Sequence, residues 1–388
     1  MPLPSVTGRL RLLYRHPRYM EHLLLTKWRS RVRYRWAEQN AAADDQVSQP
    51  LGYKIVLTYK CNLRCTMCYQ WGAVGWCHEE PKSATAKELD WQVLENLFSE
   101  VAHTHPYFIF IGGEPTLYSR YPELVELIKR YRCFSITCTN GMSLDRLSAI
   151  ADGNPYLTFL VSLDGLEKEN DRLRGRGVYK RVTANLKRLR RLKKPPYVGV
   201  EFTIRPENVA VMYEFCREMA AIGVDWVIFN PCWFISEAQA RAYEQFMSSH
   251  FNVQPKTHLG YVMPYDLDKS AFIEQMNKIN ATRWPMQISS LLAHPEDIHT
   301  YVDQPETPPG NTFCYRQWAR MDITPEGQVS PCILYPDLIL GDLKKDNALR
   351  IWNSDGFKDF RQIRREQVLP ICAKCNGIYL HDAKRKHL

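Results

Sequence analysis

Two groups of cysteines in this 388-residue chain are spaced for metal chemistry. Cys61, Cys65 and Cys68 form a C-x3-C-x2-C run. Three thiolates on one tight loop can hold three corners of an iron–sulfur cubane and leave one iron open, whereas structural zinc asks for a fourth protein ligand. Cys314 and Cys332 flank a turn at Gly327, and Cys372 and Cys375 follow as a C-x2-C pair. These four can converge on one site, and spacing alone leaves a four-thiolate cluster and a zinc ribbon both open. A thioredoxin-type role for the pair lacks a surrounding βαβ pattern. A third constellation is Gly112-Gly113-Glu114-Pro115. Paired glycines let backbone approach a ligand closely, and a carboxylate there suits an ammonium group. Cys77, Cys133, Cys138 and Cys216 read as small buried side chains.

The elements that must position these residues follow from hydrophobic periodicity. Short apolar runs at 53–59, 107–111, 133–139, 157–163, 198–204 and 224–229 alternate with helical patterns near 85–101, 121–131, 143–151, 178–192 and 208–222. Continuous apolar strands between helices predict a parallel sheet covered on both faces. Six such units with right-handed crossovers give a curved open sheet or partial barrel, with ligands at the strand C-terminal ends. The polar and special residues collect at those ends: Cys61 onward, Gly112–Glu114, Thr139–Gly141, Ser162–Asp164, Arg205 and Asn230. Residues 236–312 read as a bridging or capping segment that turns proline-rich at 305–309. Beyond 313, the runs 317–323 and 328–334 around Pro325-Glu326-Gly327 predict a β-hairpin, with a helix near 346–364 after it.

The composition, 45% hydrophobic and 24% charged, is that of a soluble globular protein. No apolar stretch is long enough to span a bilayer, and the N-terminus has no signal-type core. Twelve cysteines without an export signal read as ligands rather than disulfides, which places the chain in the cytoplasm. Residues 1–36 hold nine basic residues and one acid, so they carry eight of the nine net positive charges. Nucleic-acid binding by the main body gains no support from that distribution. Within the arm, Met20, Leu24, Trp28, Val32 and Trp36 recur every four residues, close to one helical face. Such a basic helix suits an anionic membrane surface, making the chain peripheral on the inner membrane; the other reading packs the helix on the barrel with its arginines in water. Residues 37–50 read as a linker.

The phrase CNLRCTMCY after the first strand, followed one strand later by GGEP, closely resembles the radical S-adenosylmethionine superfamily. The resemblance implies a [4Fe–4S] cluster on Cys61, Cys65 and Cys68, and S-adenosylmethionine chelated by the open iron. It also implies an external flavodoxin- or ferredoxin-type electron donor. It assigns Met67, Tyr69, Gly112, Gly113, Glu114, Pro115, Ser162 and Arg174 to the cofactor, Arg174 through its carboxylate. Asp164 and Arg205 are weaker candidates. Met67 departs mildly from the aromatic residue often found there. The hairpin with GDLKKDNALRIWNSDGFKDFR resembles the C-terminal SPASM or twitch extension, which implies an auxiliary [4Fe–4S] cluster on Cys314, Cys332, Cys372 and Cys375. No cysteine follows Cys375, which points to the shorter twitch form with one cluster.

The expected architecture is a partial (β/α)6 TIM-like barrel over 51–235, with a basic helical arm and linker over 1–50 and a bridging segment over 236–312. A small α+β twitch or SPASM-like domain completes it over 313–388. The expected reaction removes hydrogen from a small-molecule or lipid-linked substrate, the auxiliary cluster accepting an electron. Fifty residues of arm and linker are short for a peptide-recognition module, which favours that substrate class over maturation of a ribosomal peptide. Two further readings are a radical epimerase using Cys232 as hydrogen donor and a non-enzymatic electron-transfer or scaffold protein.

Overall fold

The computed structural model describes residues 12–39, 47–78, 80–292, 294–308 and 314–375. Helix α1 (Pro17–Gln39) precedes the sheet. The six expected runs become β1 (Gly52–Val56), β2 (Tyr107–Ile111), β3 (Phe134–Thr139), β4 (Leu157–Ser162), β5 (Tyr197–Ile204) and β6 (Trp226–Pro231). Each pairs in parallel with the next. The returning helices are α2 (Trp91–Val101), α3 (Tyr121–Tyr131), α4 (Leu144–Ala151), α5 (Glu167–Arg174), α6 (Val178–Arg190) and α7 (Met212–Ile222). Alternate strand residues divide between two environments, as the two-residue period demands. Phe108 and Phe110 of β2 are fully buried, Phe108 stacking on Phe98 of α2 at 4.2 Å. Tyr107, Ile109 and Ile111 lie on the other face and are only partly buried. Partly buried residues alternate in the same way on β3 (Ile136, Cys138), β5 (Glu201, Thr203) and β6 (Trp226, Ile228). The face that carries them is not sealed like the helix side, so the sheet is less completely covered than its apolar runs predicted.

The sheet extends beyond six strands at both edges, in the order β10 (Gly341–Asp342), β9 (Gln328–Ser330), β8 (Arg320–Ile323), β1, β2, β3, β4, β5, β6 and β7 (Gln287–Ser290). The bridging segment supplies α8 (Glu237–Phe251), α9 (Lys269–Ala281), β7 (Gln287–Ser290) and α10 (Asp297–Asp303), with β7 parallel to β6. Only four residues long and three of them polar, β7 has no apolar signature. The hairpin forms as expected from β8 (Arg320–Ile323) and β9 (Gln328–Ser330), with Gly327 at φ 82° in its turn. Strand β8 also pairs in parallel with β1, covering an edge that would otherwise expose unpaired backbone groups. Strand β10 (Gly341–Asp342) continues the sheet, and the helix expected near 346–364 is two, α11 (Ala348–Trp352) and α12 (Asp355–Glu366).

Helix α1 packs at the N-terminal ends of the strands, but through a different face from the one expected. Tyr19 stacks on Tyr197 at 3.8 Å, and His22 on Phe134 at 4.2 Å. Arg29 donates to the His105 carbonyl at 3.0 Å and Arg33 to that of Trp318 at 2.9 Å, so these two arginines are not left in water. Leu24, Trp28 and Val32 are instead 61%, 63% and 51% exposed. The barrel base presents aromatic rims and free carbonyls, which tyrosine, histidine and arginine match better than aliphatic side chains do. Of the expected linker, residues 40–46 lie outside the described residues, while 37–39 still belong to α1.

Candidate cluster and cofactor site

Strand β1 runs directly into the cysteine loop. The Leu63 N–H points to Cys61 Sγ at 3.5 Å and the Trp71 N–H to Cys68 Sγ at 3.4 Å. Backbone donors aimed at sulfur suit thiolates, because hydrogen bonding to the charged form favours it. Burial pushes the Cys61 thiol up to about 12, against the pull of that Leu63 N–H, and raises Cys65 despite the nearby Arg174. As bare thiols these groups hold their protons; a bound metal takes the thiolate outright.

The GGEP turn is clamped to this loop. The Gly113 N–H donates to the Thr58 carbonyl at 2.9 Å and the Glu114 N–H to that of Lys60 at 2.7 Å. A Cβ at Gly112 would lie 2.3 Å from the Thr58 oxygen, and one at Gly113 would lie 2.3 Å from that of Tyr59. The glycines therefore admit the chain's own backbone at this turn. Glu114 is also committed internally. Its carboxylate accepts from the Thr116 and Thr139 hydroxyls, each at 2.6 Å, and from the Asn140 N–H at 2.7 Å. Burial raises its pKa and these bonds oppose the rise. Glu114 thus ties the end of β3 to the cysteine loop, and Pro115 opens the 3-10 turn that follows.

Arg174 ends α5 with its side chain 11% exposed. Its Nε donates to Asp164 Oδ2 at 2.6 Å, and Nη1 lies 4.0 Å from Cys65 Sγ. Asp164 is fully buried and also accepts the Thr203 N–H at 2.7 Å. The pair thus aims a guanidinium at the cysteine loop. Ser162 is partly buried at the end of β4, in register with Glu201, and Met67 is partly buried on the loop. Sequence reasoning missed Lys54 and Glu201. Both lie on strands at partly buried positions, and Glu201 accepts from Asn230 Nδ2 at 2.5 Å. Burial lowers Lys54 to about 8, the nearby Arg320 adding to the effect, and burial raises Glu201. A charge interrupting an apolar strand run was the signal that could have found them. Cys232 is 4% exposed, with Arg205 Nη1 3.5 Å from its sulfur and its carbonyl accepting from Tyr301.

Three of the four C-terminal cysteines, Cys314, Cys372 and Cys375, act on one arginine, Arg364, while Cys332 lies under the influence of Arg316 and Arg320. Arg364 of α12 is 1% exposed; burial pulls its pKa down, and Cys372, Cys314 and Cys375 raise it above the usual value. Its Nη1 donates to the Gln367 carbonyl, while Nη2 is buried with no hydrogen-bond partner. No carboxylate forms an ion pair with Arg364 among the described residues. A buried guanidinium needs an anion, and four thiolates carrying a cluster supply one that neutral thiols do not. The residues present therefore fit the group. Among the described residues no three His, Cys, Asp or Glu side chains close around a point as ligands of a single ion do.

An aromatic seam joins the two cysteine sites. Tyr69 stacks on Tyr261, Trp233 lies 4.6 Å from Tyr261 and 5.2 Å from Tyr335, and the Tyr335 hydroxyl donates to the Ile371 carbonyl at 2.9 Å. Tyr69 follows Cys68, and Ile371 precedes Cys372.

This is the arrangement of a radical enzyme with an auxiliary iron–sulfur site. The Radical SAM superfamily profile matches residues 55–228, and that of the SPASM iron–sulfur cluster-binding domain matches residues 314–376. The chain belongs to the radical SAM superfamily, is an enzyme, and takes a [4Fe–4S] cluster, S-adenosylmethionine and auxiliary iron–sulfur clusters. It is 30% identical over 156 residues to the Fe-coproporphyrin III synthase of Methanosarcina barkeri, covering 39% of this chain and 37% of that one. The tungsten-containing aldehyde ferredoxin oxidoreductase cofactor-modifying protein of Pyrococcus furiosus is 23% identical, with 84% and 86% covered. The sporulation killing factor maturation protein SkfB of Bacillus subtilis is 25% identical, with 78% and 64% covered. SuiB of Streptococcus suis, solved with its precursor peptide SuiA, shares the fold at TM-score 0.60 and 16% identity, with 85% of this chain and 70% of that one covered.

Proposed function

We propose that this chain oxidises its substrate by hydrogen abstraction, with the Cys61, Cys65 and Cys68 site and the Cys314, Cys332, Cys372 and Cys375 site working on one molecule. When bound, the first cluster and S-adenosylmethionine supply the 5′-deoxyadenosyl radical. The single observation that carries this reading is the aromatic seam from Tyr69 to Tyr335, which runs through packed rings between the two cysteine sites. In it, Arg174 and Ser162 orient the cofactor at the strand C-terminal ends, and Met67 gives its adenine an apolar contact. Glu114 acts through the geometry of the loop. Cys232, packed beneath Arg205, serves as structure rather than as hydrogen donor. Anaerobically loaded protein with dithionite is expected to form 5′-deoxyadenosine and Cys65→Ala to form none; product from the variant would overturn the reading.

For the substrate, a precursor peptide is at least as well supported as a small molecule, since SkfB is a maturation protein and SuiB binds a precursor peptide. The likeness to the coproporphyrin synthase and the cofactor-modifying protein favours the small-molecule reading instead. A short peptide encoded beside this gene, deuterated at Cα and Cβ, decides between them: label appearing in 5′-deoxyadenosine supports the peptide, and its absence returns the small molecule.

The outer face of α1 sets exposed Leu24, Trp28 and Val32 among exposed Lys27, Arg31 and Arg35, a combination suited to an anionic lipid surface. No described helix is long and apolar enough to cross a membrane. Because α1 lies at the strand N-terminal ends, such contact would turn the cysteine loop away from the lipid, which disfavours a lipid-embedded substrate. Flotation with phosphatidylglycerol vesicles that is lost in Trp28→Glu supports the contact, and no flotation of the wild type removes it.

A further inference from the structure

Resting on the proposed redox role, we infer that Arg364 sets the reduction potential of the cluster on Cys314, Cys332, Cys372 and Cys375, and so makes that cluster an electron acceptor. The potential of a thiolate-ligated cluster follows its net charge, the hydrogen bonds to its sulfurs and its exposure to water. Reduction adds one electron and no proton, so the reduced form carries one more negative charge in the same volume. A buried cation beside the sulfurs stabilises that form over the oxidised one and moves the potential upward.

Arg364 meets each condition. It is almost wholly buried, so water screens it little. Its helix packs Phe360 and Ile363 into one cluster with Cys372 and Cys375, and Arg364 itself acts electrostatically on Cys372, Cys314 and Cys375. Among the described residues its Nη2 has no hydrogen-bond acceptor and no carboxylate forms an ion pair with Arg364. Of the other cations near these cysteines, Arg316 and Arg320 act on Cys332, and Lys374 points elsewhere. Lys374 lies between Cys372 and Cys375, yet its Nζ donates to the Thr300 and Thr307 carbonyls at 3.1 and 3.2 Å. Arg364 belongs to α12, whereas the cysteines come from the hairpin region and the C-x2-C turn, so the helix serves to deliver the charge.

The test is a potentiometric titration of the loaded full-length chain with dithionite, read by electron paramagnetic resonance. Addition of S-adenosylmethionine marks the signal of the Cys61, Cys65 and Cys68 cluster and leaves the other to be followed. Arg364→Met is expected to shift the oxidised-to-reduced ratio of the auxiliary cluster at least tenfold toward the oxidised form, a fall of about 59 mV for one electron. The other cluster's midpoint is expected to stay unchanged. Arg364→Lys, which keeps the charge, is expected to recover more than half of the fall. An unchanged midpoint in Arg364→Met overturns the inference, as does a fall in Arg364→Lys equal to that in Arg364→Met, which would assign the effect to packing. If Arg364→Met loses the iron of this site, Arg364→Gln is titrated in its place by the same criteria. Wild-type protein with no second cluster signal would overturn the two-cluster reading itself, an outcome distinct from an unshifted midpoint.

Discussion

Tyr69 stacks on Tyr261 with ring centroids 4.7 Å apart and planes 12° from parallel. A Cβ on the neighbouring Gly260 would lie 2.2 Å from the Tyr69 carbonyl oxygen, so the two segments meet at backbone contact. The pair holds the cysteine loop after β1 against the bridging segment before α9. Tyr261→Ala is expected to cost about 3 kcal/mol, and Tyr261→Phe much less, read as the urea midpoint of each variant. Equal midpoints for the two variants would mean that the ring carries no packing role.

Gly113→Ala places a methyl group against the Tyr59 and Lys60 carbonyls at 2.3 and 2.4 Å, where backbone cannot yield cheaply. The variant is expected to lose the iron held by Cys61, Cys65 and Cys68 and keep that of the C-terminal site. Iron would fall from about eight to about four per chain, each cubane holding four. Full iron content in Gly113→Ala would show that the clamp is not needed for the cluster.

Asp164 holds Arg174 in place while accepting the Thr203 N–H. Asp164→Asn leaves a buried guanidinium without its counter-charge, a change worth roughly 3 kcal/mol or more. S-adenosylmethionine affinity is expected to fall at least tenfold, measured by equilibrium dialysis under anaerobic conditions. Unaltered affinity would separate Arg174 from the cofactor.

His22 links α1 to the pH of the medium. Burial lowers its pKa from the usual 6.5 to about 4, with Arg29 adding to the effect. The folded state thus keeps His22 neutral while the unfolded chain takes up a proton near pH 6.5. Its contribution to stability is complete above that value and is lost as pH falls toward 4. The urea midpoint is expected to fall across this window in the wild type and much less in His22→Phe, which keeps a ring against Phe134. Identical pH profiles would exclude His22 as the sensitive group.

Much of the barrel was legible in one dimension because its signals are local. The run YFIFI announces β2 by composition, and the six strands recur within a few residues of their apolar runs. The cysteine triplet announces its chemistry by spacing, since three thiolates on one short loop share few other purposes. Long-range pairing left little trace. QISS has no strand signature and becomes β7 only because the edge of β6 is there to receive it. RMDI read as half of a hairpin, and its second partnership with β1 depends on an edge more than 260 residues away in sequence.

The sequence by itself determined the chemistry at the first cysteine site, the order of six strands and the hairpin between Cys314 and Cys332. Only the tertiary structure decided how the special residues are used. Gly112 and Gly113 make room for the Thr58 and Tyr59 carbonyls, Glu114 answers to Thr139 and Asn140, and α1 docks through Tyr19 and His22. Arg364, unremarkable in a charged helix, becomes the buried cation of the second site. The physical reason is common to all of them. Periodicity and spacing report what a segment is, whereas burial and partners depend on what the rest of the chain places beside it.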